Sequence, residues 1–523
     1  MKKEKKQSNY LPMILIILDG WGITKPNQGN AVSLAKTPVM DSLVKKYPNT
    51  LLCASGKCVG LPPKQVGNSE AGHMNIGCGR IVEQDAVVIS KSINDGTFFR
   101  NPAFIEAIRH VQENKSRLHL MGMISTGQSP HSDPDHMLAL LTLARENKIN
   151  EVYLHLFTDG RDSPKYAALK LVEALERDYL KHEKIATIMG RFYAMDRKKQ
   201  WDRLMKAYNA LVIGQARTAR SPQAAITQAY NRGEDDEYIK PYVITHKSKP
   251  LPRISDGDAV IFYNLRSDRA RQFSKIFVQN KFNQMNPGSS KRKQVFKNIK
   301  FIAMTDFGPD LDNILTAYPG RDIYHTLPRM LASYKQLYIA ETEKYAHVTY
   351  FFNGGKADRV AGEDRIEIAS PNVKSYDQTP AMSSKELTKV ILDSIKNNKY
   401  DFTTLNFAAP DMVGHTGNIK AGIKCCEEVD KLVGKIIAAY LKAGGTILVT
   451  ADHGNIEKMV DLDTGEIHAK HTTNPVPFIF VDKELKGNIK LRKDGVLGDI
   501  APTVLELLKI KQVKEMTGKS LIK

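Results

Sequence analysis

The sequence is poor in cysteine and has no long apolar run. Only five of its 523 residues are cysteine, and no apolar stretch approaches the ~18 residues that a membrane helix requires. The cysteines are odd in number and include no Cys-x-x-Cys pair, which favours reduced thiols and a cytoplasmic setting. We therefore expect no membrane partner, and we interpret the apolar segment at residues 11–18 as a buried strand rather than a signal sequence.

Acidic residues are too few to balance the basic ones. The chain has 76 lysines and arginines against 57 aspartates and glutamates, which gives a net charge of +19. Such a charge favours nucleic acid, an anionic membrane or phosphorylated metabolites as partners. The basic residues are scattered and no nucleic-acid-binding motif accompanies them, so we expect no nucleic-acid partner.

Three short apolar runs each lead to an aspartate. They are typical of strands in a parallel sheet, since such strands are buried on both faces. Open α/β sheets place their functional sites just beyond the carboxyl ends of the strands, so distant parts of the chain can converge on one crevice. The runs lie within residues 13–18, 400–411 and 445–454, and the aspartates are Asp19, Asp411 and Asp452.

The middle of the chain has an α/β rhythm of its own. Strands are predicted over residues 117–125, 151–158, 184–190 and 259–264, with helices over 135–147 and 166–182. The simplest architecture is one α/β domain split in sequence, with a second α/β domain inserted after about residue 85.

Histidines accompany the three aspartates. Asp411 and His415 are spaced i, i+4, which one helical turn places on one face, and His453 directly follows Asp452. Any one of these residues alone is better interpreted as a turn aspartate or a surface histidine. Together they suit Mn²⁺, Zn²⁺ or Co²⁺ better than Ca²⁺, and their number indicates two ions, which can clamp both oxygens of a phosphoryl transfer. The candidate ligands are Asp19, Asp411, His415, Asp452, His453 and His471.

Ser69 is the candidate nucleophile. It lies between Gly67 and Gly72, which permit a tight turn, at the start of a predicted helix whose positive end favours a phosphate. Alone, such a serine is better interpreted as a helix N-cap. A serine hydroxyl needs a base or a metal to become nucleophilic. No histidine–aspartate triad order surrounds Ser69, so metal activation is the consistent interpretation.

A series of ordered motifs gives the chain, from about residue 12 to its C-terminus, a close resemblance to a known family. It resembles the cofactor-independent (2,3-bisphosphoglycerate-independent) phosphoglycerate mutases of the alkaline phosphatase superfamily. The motifs are LDGWG at 18–22, GNSEAGH at 67–73, TDGRD at 158–162, GRFYAMDR at 190–197, NLRSDR at 264–269, ETEKYAH at 341–347, PDMVGHTG at 410–417, TADHGN at 450–455 and HTTNPVP at 471–477.

The resemblance implies a fold and an activity. It implies an alkaline-phosphatase-like, metal-binding domain at residues 10–84 and 319–523, with a phosphoglycerate-binding transferase domain inserted at 85–318. The enzyme would interconvert 3-phosphoglycerate and 2-phosphoglycerate through a phosphoserine intermediate in glycolysis and gluconeogenesis, independently of 2,3-bisphosphoglycerate. It would carry two Mn²⁺ ions per chain, with Co²⁺ or Zn²⁺ as alternatives, and act as a cytoplasmic monomer.

The resemblance also implies residue roles. Ser69 would be transiently phosphorylated, Lys344 would sit at the transferring phosphate, and Asp162 is our candidate acid/base. One ion would be held by Asp19, Ser69, Asp452 and His453, and the other by Asp411, His415 and His471. The residues that would hold phosphoglycerate are His131, Arg161, Asp162, Arg191, Arg197, Arg266, Arg269 and Lys344, since arginine forks bind phosphate and carboxylate bidentately.

One loop departs from the family pattern. Where most members have G-G-V-H-S-H, residues 127–133 are GQSPHSD. Keeping the His-Ser pair aligned with the family pattern assigns the substrate-binding histidine to His131, with His136 as the alternative.

Two other functions are alternatives. One is a metal phosphohydrolase or phosphopentomutase of the same superfamily, against which the inserted domain and its arginines argue. The other is a nucleic-acid-binding protein, which rests on net charge alone.

Overall fold

The computed structural model describes residues 10–127, 129–483 and 489–523. The strands are β1 (Met13–Leu18), β2 (Asn49–Cys53), β3 (Leu118–Met123), β4 (Val152–Thr158), β5 (Lys184–Gly190), β6 (Arg217–Ala219), β7 (Tyr242–His246), β8 (Lys249–Pro250), β9 (Ala259–Phe262), β10 (Lys300–Thr305), β11 (Ile314–Tyr318), β12 (Gln336–Glu341), β13 (Glu363–Ile368), β14 (Phe402–Phe407), β15 (Thr446–Thr450), β16 (Val476–Val481) and β17 (Gly495–Val496).

The α-helices alternate with these strands. They are α1 (Ala31–Leu34), α2 (Pro38–Lys46), α3 (Ser69–Cys78), α4 (Asp85–Asn94), α5 (Pro102–Asn114), α6 (Pro134–Glu146), α7 (Ala168–Ala174), α8 (Arg191–Ala194), α9 (Trp201–Val212), α10 (Pro222–Tyr230), α11 (Ser267–Val278), α12 (Phe282–Met285), α13 (Leu327–Met330), α14 (Thr342–Ala346), α15 (Ser384–Lys396), α16 (Ala409–Gly414), α17 (Ile419–Lys442) and α18 (Ile500–Leu507). Within the described ranges, no helix is long and apolar enough to cross a membrane.

The chain divides into two compact units. One consists of the residues up to Gln84 together with Asp322–Lys523, and the other is Asp85–Arg321. We call them the split unit and the inserted unit. The second boundary lies at 321/322, whereas the sequence placed it at 318/319.

The split unit is built on an eight-stranded sheet in the order β13-β12-β14-β1-β15-β16-β2-β17. Its centre is β1, which pairs in parallel with both β14 and β15, and β12 pairs in parallel with β14. All six residues of β1 are buried, as a central parallel strand covered on both faces requires. The carboxyl ends of four adjacent strands therefore meet at one edge of this sheet.

Each of these four strands leads to a candidate site residue. Asp19 follows β1, Asp452 follows β15 after one residue, Asp411 lies on α16 after β14, and Lys344 lies on α14 after β12. The predicted strands that end in aspartates are confirmed. Their adjacency in the sheet is what brings together residues that are far apart in sequence.

The inserted unit has a nine-stranded sheet in the order β11-β10-β9-β3-β4-β5-β7-β6, with β8 paired to β7. The four strands and the first helix predicted for this region correspond to β3, β4, β5, β9 and α6. The helix predicted over residues 166–182 is shorter in the structure. It consists of α7, Ala168–Ala174, and a π-helical turn that continues it to Tyr179. The predicted fold class, an α/β domain split by an inserted α/β domain, is confirmed.

The cysteines differ from the prediction in one pair. Cys53 and Cys58 form a disulfide, so the prediction that all cysteines are reduced is wrong for these two. The 3₁₀ turn Gly56–Val59 turns the chain back after β2, which brings two cysteines five positions apart within bonding distance. Cys78, Cys425 and Cys426 are free and buried.

Candidate active site

A first cluster of polar side chains surrounds Ser69 Oγ in the split unit. His453 Nε2 lies 2.9 Å and Asp19 Oδ1 3.2 Å from this oxygen. His453 Nε2 also lies 3.5 Å from both Asp19 Oδ1 and Asp452 Oδ2. All four residues are buried. The structure thus brings together Asp19, Ser69, Asp452 and His453, the residues predicted to share one ion.

A second cluster contains the other three predicted ligands. His415 Nε2 and His471 Nε2 lie 3.1 Å apart, and they lie 3.4 Å and 3.3 Å from Asp411 Oδ1. Asp411 Oδ1 is in turn 4.0 Å from His453 Nε2 of the first cluster. The two clusters are therefore neighbours, and His453 stands between them.

The tautomers of the histidines test whether these residues fit metal ions. The Nδ1 atoms of His415, His453 and His471 lie 2.9, 3.3 and 2.8 Å from the backbone oxygens of Ala469, Gly454 and Gly67. A carbonyl only accepts, so each Nδ1 carries a proton, and each Nε2 is the ring atom directed into the cluster, where it can offer a lone pair to a cation when it is not itself protonated. Nε2 atoms that lie 3.1–3.5 Å from one another and from carboxylate oxygens can share a cation between them. This spacing matches tetrahedral ligands about 2.1 Å from an ion, which lie about 3.4 Å apart.

Ser69 is the first residue of α3, but it does not cap that helix. The cap is Asn68, whose side chain accepts from the amide of Ala71, so the N-cap interpretation of Ser69 is wrong. Its hydroxyl is instead free to face the cluster, where Lys344 Nζ lies 2.7 Å away. A Cβ on Gly72 would lie 2.6 Å from the carbonyl oxygen of Asp452, so glycine at this position lets α3 approach the end of β15.

The cluster has a strongly negative potential. Burial opposes charge on Lys344, but Asp19, Asp411 and Asp452 outweigh it and raise the pKa of Lys344. Burial also opposes charge on His453, yet Asp452 and Asp19 raise its pKa to about 9. Lys344 Nζ lies 2.6 Å from both Asp19 Oδ1 and Asp411 Oδ2. Positive charge is therefore favoured at this point, as a cation site requires.

A cavity of about 360 Å³ in the inserted unit is lined by cationic side chains. This size is that of a small-metabolite pocket. Burial, Arg191 and Arg197 lower the pKa of Arg269 to about 10, because like charges repel one another. Arg266 does not line the cavity and lies 3.7 Å from Asp268. The cationic lining residues are Arg161, Arg191, Arg197, Lys198, Arg203 and Arg269.

Asp162 is held beside this pocket by Arg191. The Nη1 atom of Arg191 donates to Asp162 Oδ2 at 2.7 Å and to Asp159 Oδ1 at 2.6 Å, and Ser129 Oγ donates to Asp162 Oδ2 at 3.0 Å. These bonds fix the position of the Asp162 carboxyl group.

His131, rather than His136, stands among the arginines. The loop at 127–133 is described except for Gln128. Burial, Arg191 and Arg266 hold the pKa of His131 well below its usual range, and its buried Nδ1 has no hydrogen-bond partner among the described residues. His136 instead lies on α6 and bonds to Ser90 Oγ at 3.1 Å.

Four buried residues that the sequence did not single out support the two clusters. Asn406 Nδ2 donates to Asp19 Oδ2 at 2.7 Å, and Asn455 Nδ2 donates to Asp411 Oδ1 at 2.7 Å. His73 Nδ1 donates to the carbonyl of Ser69 at 2.9 Å. Asn406 lies near the end of a strand, and Asn455 and His73 close two of the motifs, so the sequence offered a signal for these three residues. The fourth, Glu457, lies outside every motif.

Comparisons with known proteins agree with this geometry. The model of the Metalloenzyme superfamily matches residues 11–512, so the chain is a metalloenzyme. A 2,3-bisphosphoglycerate-independent phosphoglycerate mutase from Clostridium kluyveri is 47% identical over 98% of this chain and 99% of the relative. A second such mutase, from Methanosarcina acetivorans, is 48% identical over 98% of both chains.

A solved structure extends the match to the fold. The Leishmania mexicana phosphoglycerate mutase, crystallised at low cobalt concentration, superposes with a TM-score of 0.78 at 28% identity, covering 99% of this chain and 98% of that one. The chain therefore belongs to the 2,3-bisphosphoglycerate-independent phosphoglycerate mutase family.

Proposed function

We propose that this chain interconverts 3-phosphoglycerate and 2-phosphoglycerate through a phosphorylated Ser69, without 2,3-bisphosphoglycerate. The observation that carries the proposal is the position of Ser69 Oγ, which Lys344, His453 and Asp19 surround at 2.7, 2.9 and 3.2 Å. A serine so placed can become a nucleophile and can also release the group it has accepted.

The metal component of the proposal is two Mn²⁺ ions per chain, with Co²⁺ or Zn²⁺ as alternatives. Asp19, Ser69, Asp452 and His453 would hold one ion, and Asp411, His415 and His471 the other. Bound divalent cations supply Lewis-acid stabilisation of the negative charge on the serine and phosphoryl oxygens. The Nε2 atoms directed into the two clusters support this assignment.

The arginines of the inserted unit are proposed to bind the substrate. Phosphoglycerate carries a phosphate and a carboxylate, and arginine forks bind both bidentately. The proposed binding residues are His131, Arg161, Asp162, Arg191, Arg197, Arg266 and Arg269, together with Lys344 at the transferring phosphate. The cationic lining of the 360 Å³ cavity supports this role for four of the arginines.

The proposed reaction is a double transfer. The bond between phosphorus and the oxygen on carbon 3 breaks as a bond between phosphorus and Ser69 Oγ forms, and the serine proton passes to the glycerate oxygen. The reverse exchange then occurs at the 2-hydroxyl, so no proton is consumed overall. Lys344 Nζ neutralises charge on the transferring group, and Asp162 acts as the acid/base toward the glycerate hydroxyls.

The proposal extends to the setting of the enzyme. We propose a monomeric, cytoplasmic enzyme of glycolysis and gluconeogenesis that does not bind nucleic acid. The family and its substrates support this setting, whereas the cysteines do not, since Cys53 and Cys58 are joined.

An assay without 2,3-bisphosphoglycerate tests the proposed function. Purified protein with Mn²⁺ is given 3-phosphoglycerate, and 2-phosphoglycerate is followed through enolase. We expect interconversion with no bisphosphoglycerate present. Turnover that begins only when bisphosphoglycerate is added would overturn the proposal, and release of inorganic phosphate in place of 2-phosphoglycerate would favour a phosphohydrolase.

A further inference from the structure

Glu457 is a fully buried carboxylate. No lysine, arginine or histidine of the described ranges lies within ion-pair distance of it. Its oxygens instead accept from four donors: the amides of Gly22 and Asn455 at 3.1 and 2.8 Å, Asn474 Nδ2 at 2.9 Å, and the Thr472 hydroxyl. A buried carboxylate is costly unless such donors surround it.

These donors belong to two connections that carry proposed metal ligands, the loop after β1 and the long connection between β15 and β16. Gly22 lies in the loop after Asp19, Asn455 follows His453, and Thr472 directly follows His471. Glu457, which itself lies in the β15–β16 connection, therefore joins the loop after β1 to both ends of that connection.

Two glycines make room for this carboxylate. A Cβ on Gly22 would collide with the carboxyl group of Glu457, and one on Gly454 would collide with both Glu457 and the Thr472 hydroxyl. Glu457 is also linked to the second cluster through Asn455. It accepts from the backbone amide of Asn455, and the side chain of Asn455 donates through Nδ2 to Asp411 Oδ1 at 2.7 Å.

We propose that Glu457 is a positioning residue, which fixes the loop after β1 and the two ends of the β15–β16 connection so that Asp19, His453 and His471 face the ions at the required spacing. It is assigned to neither substrate nor ion and acts through its hydrogen bonds to the backbone and side chains of its neighbours. This inference rests on the proposed function of the site, and it assigns a role to a residue outside the ligand set.

Glu457→Gln is the direct test. It keeps the size of the side chain but replaces an acceptor oxygen with an NH₂ group, which must face an N–H or O–H donor. We expect a folded protein, by far-UV circular dichroism, whose dissociation constant for Co²⁺ rises about 10–100-fold, as for other residues that orient ligands. Glu506→Gln, at an exposed position of α18 in the same unit, is the matched control and should leave Co²⁺ binding unchanged.

Two further readouts separate positioning from general stability. The visible Co²⁺ spectrum reports ligand geometry and should change in Glu457→Gln, and kcat should fall while KM for phosphoglycerate stays close to wild type. Equal Co²⁺ affinity and an unchanged spectrum in folded Glu457→Gln would overturn the positioning role alone. Failure of the wild-type protein to bind Co²⁺ would overturn the proposed function as well.

A second pair of variants covers the case in which Glu457→Gln does not fold. Thr472→Val removes only the hydroxyl that donates to Glu457, and Thr472→Ser keeps it. We expect weaker Co²⁺ binding in Thr472→Val and recovery in Thr472→Ser. The same Co²⁺ affinity in both variants would contradict the inference.

Discussion

Ser69 differs from Ser384, another serine at the start of a helix, in what faces its hydroxyl. Ser384 is also the first residue of a helix, α15, and is also buried, but its Oγ has no hydrogen-bond partner among the described residues. Ser69 Oγ faces Lys344, His453 and Asp19. The partners of Ser69 could not be identified from its local sequence, because they lie between 50 and 384 positions away.

Ser69→Ala tests the assignment of the nucleophile. We expect mutase turnover to be abolished, because no other hydroxyl occupies this position, while the circular dichroism spectrum stays that of the wild type. Ser384→Ala, which removes an unbonded hydroxyl at the start of α15, is the control and should retain activity. Substantial turnover in Ser69→Ala would remove Ser69 from its role.

Lys344→Met tests the charge balance of the cluster. Without Lys344, the buried carboxylates of Asp19 and Asp411 lose their shared cation. The metal-free protein should therefore lose about 3–5 kcal/mol of its free energy of unfolding, measured by denaturant titration in the presence of a chelator. Added Mn²⁺ should restore part of the loss, since a ligand that binds only the folded state stabilises it. An unchanged stability in chelator would contradict this account of the cluster.

The candidate ligands could be predicted from the sequence because they follow apolar runs or lie in distinctive motifs. Asp19, Asp411 and Asp452 stand at the ends of buried strands, where parallel sheets collect their functional groups. Glu457 could not be predicted in this way. Two of its four partners are backbone amides, which every non-proline residue has, so no residue pattern marks the contact.

A hydrogen-bonded chain crosses four strand positions in the sheet of the inserted unit. Asp258, just before β9, accepts from His119 Nε2 of β3 at 3.1 Å. His119 Nδ1 accepts from His155 Nε2 of β4 at 2.9 Å, and His155 Nδ1 accepts from Thr187 of β5 at 2.9 Å. This direction of donation requires both histidines to be neutral. The strands were predictable from their apolar residues, but this side-chain pairing depends on their order and register.

The neutral histidine chain predicts a loss of stability in acid. Burial lowers the pKa of His119, a shift that Asp258 opposes and Arg117 increases. Burial and the neighbouring His119 hold the pKa of His155 well below its usual range. Stability from the neutral forms is complete above about pH 6.5, the pKa of an unfolded histidine, and is lost as the pH falls toward the folded values.

His155→Gln tests this element. Glutamine can donate and accept in the chain but does not titrate in this range. Between about pH 7.5 and about pH 5.5, the unfolding temperature should fall less in His155→Gln than in the wild type. Parallel pH profiles of the two proteins would show that His155 does not contribute to the acid sensitivity.

At the scale of the whole molecule, the sequence predicted two α/β domains because each region repeats strand and helix patterns. The second boundary was placed at 318/319 and lies at 321/322. β11 ends at Tyr318, and the residues that follow it carry no regular element up to α13. No change of pattern therefore marks the point at which contacts pass from one unit to the other.

Removal of metal tests the molecule as a metalloenzyme. Treatment with EDTA should abolish mutase activity and lower the unfolding temperature, because the cations bind only the folded clusters. Added Mn²⁺ should restore both. Calorimetric titration of the metal-free protein should give two ions per chain. Full activity after EDTA, with metal absent by elemental analysis, would contradict the ligand assignment.

The central claim is that a phosphoryl group rests on Ser69 during each turnover. The most direct measurement is mass spectrometry of peptides from Mn²⁺-loaded protein that has been mixed with 3-phosphoglycerate and quenched during turnover. We predict a mass increase of one phosphate on the peptide that contains Ser69, absent without substrate. Active protein whose Ser69 peptide never gains phosphate, or that gains it at another residue, would contradict the account.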